Sequence, residues 1–223
     1  MKPEAIVFDF DGVLTRGGEG LKREAWDLLV APWAIQLQNK LYRARQVFAD
    51  GRGSRFDILR TTFTADQSIP AANLDALVAT YAAAYNTLVQ GMILVSGMSE
   101  GTVETLEELG AKSVLYINSA TPEAAVVESV RALGIERFFT GGIYGQPRSK
   151  LNNLKRAVDG HRTPCRPNEM VFIGDGKSDL KAAHEFGCCF VGIANEWNRW
   201  KVGKEPFTVV AHFRDIPAAI LRL

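Results

Sequence analysis

The segment AIVFDFDG, residues 5–12, leads four apolar residues into two aspartates and a glycine. A short apolar run that ends at a turn signal is typical of a strand buried in a parallel sheet. Asp9 and Asp11 therefore follow the first strand, and Gly12 allows the chain to turn there. Two carboxylates buried close together are costly unless a cation, hydrogen bonds or protonation relieves the repulsion. The segment thus predicts an N-terminal strand with a functional pocket at its end.

Outside this segment, short apolar runs alternate with helical patterns through the second half of the chain. This alternation is typical of a parallel sheet covered by helices. The sequence therefore predicts an α/β fold with a doubly wound parallel sheet. Besides residues 5–8, the predicted strands are 113–117, 138–142, 169–173, 188–193 and 208–211, and the helices between them are 100–109, 122–133, 150–158 and 179–186.

Residues 17–90 have a different pattern, with long helical periodicity and little strand signal. The helical stretches in this part are 21–29, 35–49 and 73–88. We therefore predict a core domain of residues 1–16 and 91–223, with a helical domain of residues 17–90 inserted after the first strand. Glycines flank the insertion, and they act either as hinges that let a cap open and close or as parts of an irregular loop.

Composition and charge limit the class of protein. The chain has 223 residues with 26 Lys and Arg against 25 Asp and Glu, which disfavours nucleic acid as a partner. Residues 1–4 lead directly into the first strand, and no apolar stretch approaches the length of a membrane span, so we expect a cytoplasmic protein without a membrane partner. Cys165, Cys188 and Cys189 form neither a disulfide framework nor a zinc-binding spacing, and we expect reduced thiols.

Candidate site residues also follow two later strands, and open α/β sheets bind ligands at the carboxyl ends of their strands. Ser119 comes after the second strand, with Thr121 as the predicted N-cap of a helix whose amides would suit an anion. Ser119 is alternatively a simple turn or capping hydroxyl. Lys150 opens a later helix, where the dipole disfavours a cation, so a phosphate group would explain its charge. A solvated surface lysine is the alternative.

Two more acids, Asp175 and Asp179, lie in the segment GDGKSD, residues 174–179, after another predicted strand. Asp179 suits the N-terminus of a helix, whereas Asp175 has little structural reason to be there. Together with Asp9 and Asp11, these acids would complete an oxygen-rich Mg²⁺ site. One carboxylate can attack phosphorus, and a second can protonate the leaving oxygen and then activate water.

The motifs together resemble those of the haloacid dehalogenase superfamily. That family has a DxD motif after strand one, a Ser or Thr after strand two, a lysine and a GDxxxD motif, which here read Asp9 with Asp11, Ser119, Lys150 and residues 174–179. The resemblance implies a Rossmann-like core with a helical C1-type cap, as in the phosphoglycolate phosphatase and β-phosphoglucomutase branch.

The resemblance also implies roles for the acids. Asp9 would be the nucleophile and a Mg²⁺ ligand, and Asp11 would be the general acid and base whose backbone carbonyl also reaches the metal. Asp175 would bind the metal directly, and Asp179 would do so directly or through water. Phosphoryl transfer needs this kind of in-line positioning and neutralisation of oxygen charge.

Phosphoryl-binding and substrate-binding residues are implied in the same way. Ser119, the backbone amide of Ala120 and Lys150 would hold the transferring phosphoryl group. In the insertion, the segment GRGSRF, residues 51–56, resembles a stretch in related caps where an arginine reaches toward the substrate. Arg55 would then grip a second anionic group, unless it is only a solvated residue of a helix-capping loop.

The implied function is a Mg²⁺-dependent phosphatase that acts on a small phosphorylated metabolite through an aspartyl-phosphate. A phosphomutase of the β-phosphoglucomutase type and a catalytically idle binding domain are the alternatives. A true haloacid dehalogenase is disfavoured, because that reaction needs no second acid in the first motif, whereas Asp11 is present. The sequence leaves the physiological substrate and the oligomeric state open.

Overall fold

The structure is a computed structural model that describes residues 2–48, 53–161 and 165–223. It divides into two compact units. The first consists of Met1–Glu19 and Ile93–Leu223, and the second of Gly20–Met92.

The first unit contains a six-stranded sheet whose strands all run parallel, as the sequence predicts. Its strands are β1 (Ala5–Phe8), β2 (Val114–Pro122), β3 (Gly142–Gln146), β4 (Met170–Gly174), β5 (Cys189–Ile193) and β6 (Thr208–Val210). The spatial order is β3-β2-β1-β4-β5-β6, so the direction of winding reverses at β1. Ligands bind at such a switch point in open α/β sheets.

Helices connect these strands. The order along the chain is α1 (Gly18–Val30), α2 (Ile35–Val47), α3 (Arg55–Thr64), α4 (Leu74–Ser96), α5 (Thr102–Gly110), α6 (Glu123–Ala132), α7 (Lys150–Asp159), α8 (Lys177–Phe186) and α9 (Ile216–Ile220). The α/β fold class predicted from the sequence is confirmed. The helices α5 to α8 lie within two residues of their predicted starts, because their apolar positions recur with helical spacing.

Strand β1 is buried along its whole length, with each side chain at most 1% exposed. The side chains of Ala5 and Val7 pack with Tyr116 and Phe172 in one core cluster. On the other face, the Phe8 ring lies 6.3 Å from that of Phe139. Burial on both faces explains why β1 appears in the sequence as an unbroken apolar run.

Two local predictions were wrong. The third strand begins at Gly142 rather than 138, and the chain before it forms a short 3₁₀ helix, Glu136–Phe138. A Cβ atom at Gly141 would lie 2.3 Å from the ring of Tyr116, so the chain passes too close there for any larger residue. The predicted N-cap at Thr121 was also wrong, because β2 continues to Pro122, which is itself the N-cap of α6.

In the second unit the described residues are largely helical. The ring of Trp26 stacks on that of Tyr85 at 4.2 Å, and Trp33 packs edge-on against Tyr81. Helix α3 was not predicted, although Ser54 caps it and forms a capping box with Asp57. The role of residues 17–90 as a cap remains a prediction.

The helical stretch Ala71–Ser96 is long and apolar enough, by length and composition, to span a membrane. The expectation that no stretch approaches a span was therefore wrong on these two criteria. Part of this stretch packs in the protein interior, because its side chains Val78, Ala82, Tyr85 and Val89 are buried.

Candidate active site

The candidate site lies at the carboxyl ends of β1, β2 and β4. Phe8, the last residue of β1, pairs with Ile117 on one side and Ile173 on the other. The amide of Asp9 donates a 2.8 Å hydrogen bond to the carbonyl of Ile173, so the strand geometry continues into the first aspartate. The side chains at the carboxyl ends of three neighbouring strands are therefore brought to one edge of the sheet.

The turn after β1 depends on Gly12. Its φ is +84°, a conformation that side-chain-bearing residues rarely adopt. A Cβ atom at Gly12 would lie 2.3 Å from Oδ2 of Asp175, so only glycine permits this close approach. The turn buries Asp9 and Asp11, which are 6% and 3% exposed. It also brings the fourth motif, GDGKSD at residues 174–179, against the first motif, which contains these two acids.

Three carboxyl groups converge at this edge. Oxygen atoms of Asp9, Asp175 and Asp179 all lie within 4.8 Å of one another. The amide of Gly176 donates a 2.9 Å hydrogen bond to Oδ2 of Asp179, which orients that side chain at the start of α8. Carboxylate oxygens are the ligands that Mg²⁺ prefers in proteins, and the donor set therefore fits a hard divalent cation.

Lys150 binds two of these carboxylates. Its Nζ atom lies 2.8 Å from Oδ1 of Asp9 and also contacts Oδ1 of Asp179. Burial favours loss of the lysine proton, but the charges of Asp179 and Asp9 outweigh that effect and raise the pKa of Lys150. The side chain is only 10% exposed, so the solvated-surface alternative is wrong. Lys150 is a buried cation of the cluster.

Two asparagines that the sequence analysis did not identify hold Lys150 in place. Nδ2 of Asn118 donates a 2.9 Å hydrogen bond to the backbone carbonyl of Lys150. Nδ2 of Asn153 in turn donates to Oδ1 of Asn118 at 3.1 Å and to the carbonyl of Gly145 at 3.3 Å. Both asparagines are fully buried. Their amides therefore tie α7 to the ends of β2 and β3.

Ser119 is joined to Asp11 through Thr121. The Thr121 amide donates to Oγ of Ser119, and the Thr121 hydroxyl donates to Oδ2 of Asp11, both at 3.0 Å. Ser119 is 1% exposed, whereas the neighbouring Ala120 is exposed. Sequence reasoning assigned Thr121 only a capping role. The structure makes it the link between the second motif and the second acid of the first.

Asp175 has a further partner that sequence reasoning missed. Nδ2 of Asn195, which follows β5, donates a 2.8 Å hydrogen bond to Oδ2 of Asp175. Asn195 lies in none of the four motifs. The only signal in the sequence was that it follows a predicted strand, and open α/β sheets bind ligands at the carboxyl ends of their strands.

Arg55 lies in the second unit as the first residue of α3. Its guanidinium carbon is 5.3 Å from the centre of the Phe56 ring. Gly51 and Arg52, which belong to the same predicted stretch, lie outside the described residues. The contact between Arg55 and a substrate stays a prediction.

Comparison with protein families gives one match over most of the chain. The family of haloacid dehalogenase-like hydrolases matches residues 3–187. This range includes the four motifs and the insertion between the first and second of them.

Two curated relatives are phosphoglycolate phosphatases. The protein of Haemophilus influenzae (strain 86-028NP) is 31% identical over 106 residues, which cover 44% of this chain and 43% of the relative. The protein of Yersinia pestis is 27% identical over 222 residues, 96% of this chain and 92% of the relative. The chain thus spans less than half of the first relative's length and nearly all of the second's.

A solved structure has the same fold. The CbbY protein of Rhodobacter sphaeroides, determined in complex with phosphate, superposes with a TM-score of 0.70 and covers 96% of each chain. Its sequence is 18% identical to this one. At that identity the likeness extends to the fold alone.

Proposed function

The chain belongs to the haloacid dehalogenase-like hydrolases, and we propose that it is a Mg²⁺-dependent phosphoric monoester hydrolase that acts on a small phosphorylated metabolite. The observation that carries this proposal is the convergence of the Asp9, Asp175 and Asp179 carboxylates, two of which, Asp9 and Asp179, contact the Lys150 ammonium. Phosphoryl transfer needs this combination, because the reaction depends on a placed nucleophile and on positive charge near the phosphoryl oxygens.

In the first step, a carboxylate oxygen of Asp9 attacks the phosphorus atom while the bond from phosphorus to the ester oxygen breaks. Asp11 gives its proton to that oxygen, which leaves as an alcohol. The product on the enzyme is an aspartyl-phosphate at Asp9. The hydrogen bond from Thr121 to Asp11 supports this role, because it fixes the direction of the acid's carboxyl group.

In the second step, a water oxygen attacks the phosphorus of the aspartyl-phosphate. Asp11 takes the proton of that water, and the bond from phosphorus to the Asp9 oxygen breaks. Inorganic phosphate leaves, and Asp9 returns to its carboxylate form. One acid thus serves both steps, giving a proton in the first and taking one in the second.

Asp9, Asp175, Asp179 and the backbone carbonyl of Asp11 would hold the Mg²⁺ ion. When bound, the ion supplies positive charge to the nucleophile and the phosphoryl oxygens. Lys150 supplies a fixed positive charge beside Asp9, and its raised pKa favours the protonated form. The hydroxyl of Ser119 and the backbone amide of Ala120, an exposed residue, are proposed to bind the remaining phosphoryl oxygens.

Substrate choice is proposed to come from residues 17–90, acting as a C1-type cap. Arg55 at the start of α3 is the candidate for binding a second anionic group of the substrate. The relatives named phosphoglycolate phosphatases support a small phosphorylated acid, of which phosphoglycolate is the first candidate. A cytoplasmic location is proposed as well, supported by the free state of all three cysteines.

A phosphate-release screen tests the proposal. Inorganic phosphate is measured from phosphoglycolate, sugar phosphates, nucleotides and pyridoxal phosphate, each with Mg²⁺ and with EDTA. We expect release that needs Mg²⁺, stops with EDTA and returns when Mg²⁺ is restored, with a preference for substrates that carry a second anionic group. Conversion of a sugar phosphate into its isomer without free phosphate would instead indicate a mutase. No conversion of any compound would indicate a binding domain.

A further inference from the structure

The segment after β5, Asn195 to Trp200, forms a hydrogen-bonded loop beside the fourth motif. Its sequence is NEWNRW, and it belongs to none of the motifs that define the proposed site. Arg199 in this loop has a φ of 59°, the only positive φ at a non-glycine residue among the described residues. Such a conformation persists only where the surrounding structure holds it.

The amide orientation of Asn195 follows from its backbone partners. Its Oδ1 atom accepts hydrogen bonds from the amides of Trp197 at 2.9 Å and Asn198 at 2.8 Å. Because these two donors need the oxygen atom, Nδ2 must point the other way. Nδ2 donates to Oδ2 of Asp175 at 2.8 Å.

Asn198 holds the same loop with a similar set of hydrogen bonds. Its Oδ1 accepts from the amides of Asn195 at 3.1 Å and Trp200 at 2.9 Å. Its Nδ2 donates to the backbone carbonyl of Asp175 at 2.9 Å and to that of Ile193 at 2.8 Å. The two asparagines therefore hold both the side chain and the main chain of Asp175.

Trp200 anchors the loop to the core. Its ring lies 5.8 Å from that of Phe190 and 5.2 Å from that of Phe207. A Cβ atom at Gly192 would lie 2.9 Å from the Trp200 ring, so the ring packs directly on the backbone of β5. The loop is thus fixed at its far end by aromatic packing and at its near end by Asp175.

We propose that Asn195 is a positioning residue for the metal, which holds the Asp175 carboxylate in the orientation that binds Mg²⁺. This inference rests on the proposed function, because it assumes that Asp175 is a metal ligand. The hydrogen bond occupies Oδ2 of Asp175 from the side of Asn195 and restricts rotation of the carboxylate. Partners of this kind commonly contribute 10- to 100-fold to metal affinity.

The test is Mg²⁺ affinity, measured by isothermal titration calorimetry on the metal-free protein with Asn195→Ser. A serine hydroxyl accepts from the amides two and three residues on, which preserves the loop, but it is too short to reach Asp175. We expect Mg²⁺ to bind roughly 10- to 100-fold more weakly than to the parent. The matched control is Asn168→Ser, at an exposed asparagine before β4, which should bind Mg²⁺ like the parent.

All titrations are made well below the melting temperature of each metal-free variant, so that loss of stability does not count as loss of affinity. If Asn195→Ser binds Mg²⁺ within twofold of the parent, Asn195 does not position the ligand and the inference is wrong. If the parent itself takes up no Mg²⁺, the metal site of the proposed function is wrong as well.

Discussion

Lys150 shows how a single side chain acquires its role from its surroundings. In the sequence it is one lysine in the first turn of a helix, a position that the helix dipole disfavours for a cation. In the structure it lies between Asp9 and Asp179, with 10% of its side chain exposed. Removal of one partner from a buried ion pair leaves the other charges uncompensated. The lysine and the acids therefore depend on one another.

We predict that Lys150→Ala lowers the rate of phosphate release roughly 100- to 1,000-fold, because a fixed positive charge beside the phosphoryl oxygens is lost. The measurement is kcat on the best substrate of the screen, with saturating Mg²⁺. The matched control is Lys155→Ala, at an exposed lysine on the same helix, which should retain the activity of the parent. Activity of the Lys150 variant within threefold of the parent would contradict its role.

At the scale of elements, the strand ends were predictable and the links between elements were not. β1 and β4 are buried along their whole length and appear in the sequence as apolar runs, so the acids that follow them were identified from the chain alone. The bond between Asn118 and Asn153 joins residues 35 positions apart, and nothing in the local pattern indicates it. Tertiary contacts of this kind decide which polar residues reach the site.

Helix α3 was missed for a different reason. Its sequence, RFDILRTTFT, includes three threonines among ten residues, and threonine weakens the helical pattern. The signal that was present is the capping box of Ser54 and Asp57, a local motif that marks the start of a helix. A search for capping motifs together with helical periodicity would have identified α3.

Packing between elements also predicts a pH effect. Tyr116 of β2 is buried, and its hydroxyl lies 2.7 Å from Nδ1 of His161, just after α7. Burial, with smaller contributions from Tyr144 and Cys165, raises the pKa of Tyr116 to about 12. Between about pH 10 and pH 12 the unfolded tyrosine ionises while the folded one stays neutral, so the free energy of unfolding falls as the pH rises.

Tyr116→Phe should remove this part of the pH dependence. From about pH 10 to about pH 12, the free energy of unfolding should fall for both proteins. We expect the fall for Tyr116→Phe to be about 1 to 2 kcal/mol smaller than the fall for the parent. Denaturant unfolding at several pH values measures the difference, and Tyr42→Phe, at an exposed tyrosine, should follow the parent curve. Parallel curves for the parent and Tyr116→Phe would contradict the assignment.

At the scale of the whole molecule, the fold places four separate parts of the chain at one sheet edge. Asp9 and Ser119 lie at strand ends, Lys150 and Asp179 lie in the first turns of α7 and α8, and the parallel order with its reversal at β1 brings these parts of the chain together. The fold class and the family followed from the sequence because motif order and strand order are linked in this architecture. The substrate did not, because none of the four motifs specifies the alcohol that carries the phosphoryl group, and the contact of Arg55 with a substrate stays a prediction.

The most direct test of the account is the rate of inorganic phosphate release by Asp9→Asn, with Mg²⁺ and the best substrate of the screen. Asparagine keeps the size of the side chain but removes the nucleophilic carboxylate. We predict a loss on the order of 10⁴-fold or more with the fold intact by circular dichroism, while the control Asp159→Asn, at an exposed acid of α7, keeps the parent rate. Undiminished phosphate release by Asp9→Asn would show that Asp9 is not the nucleophile.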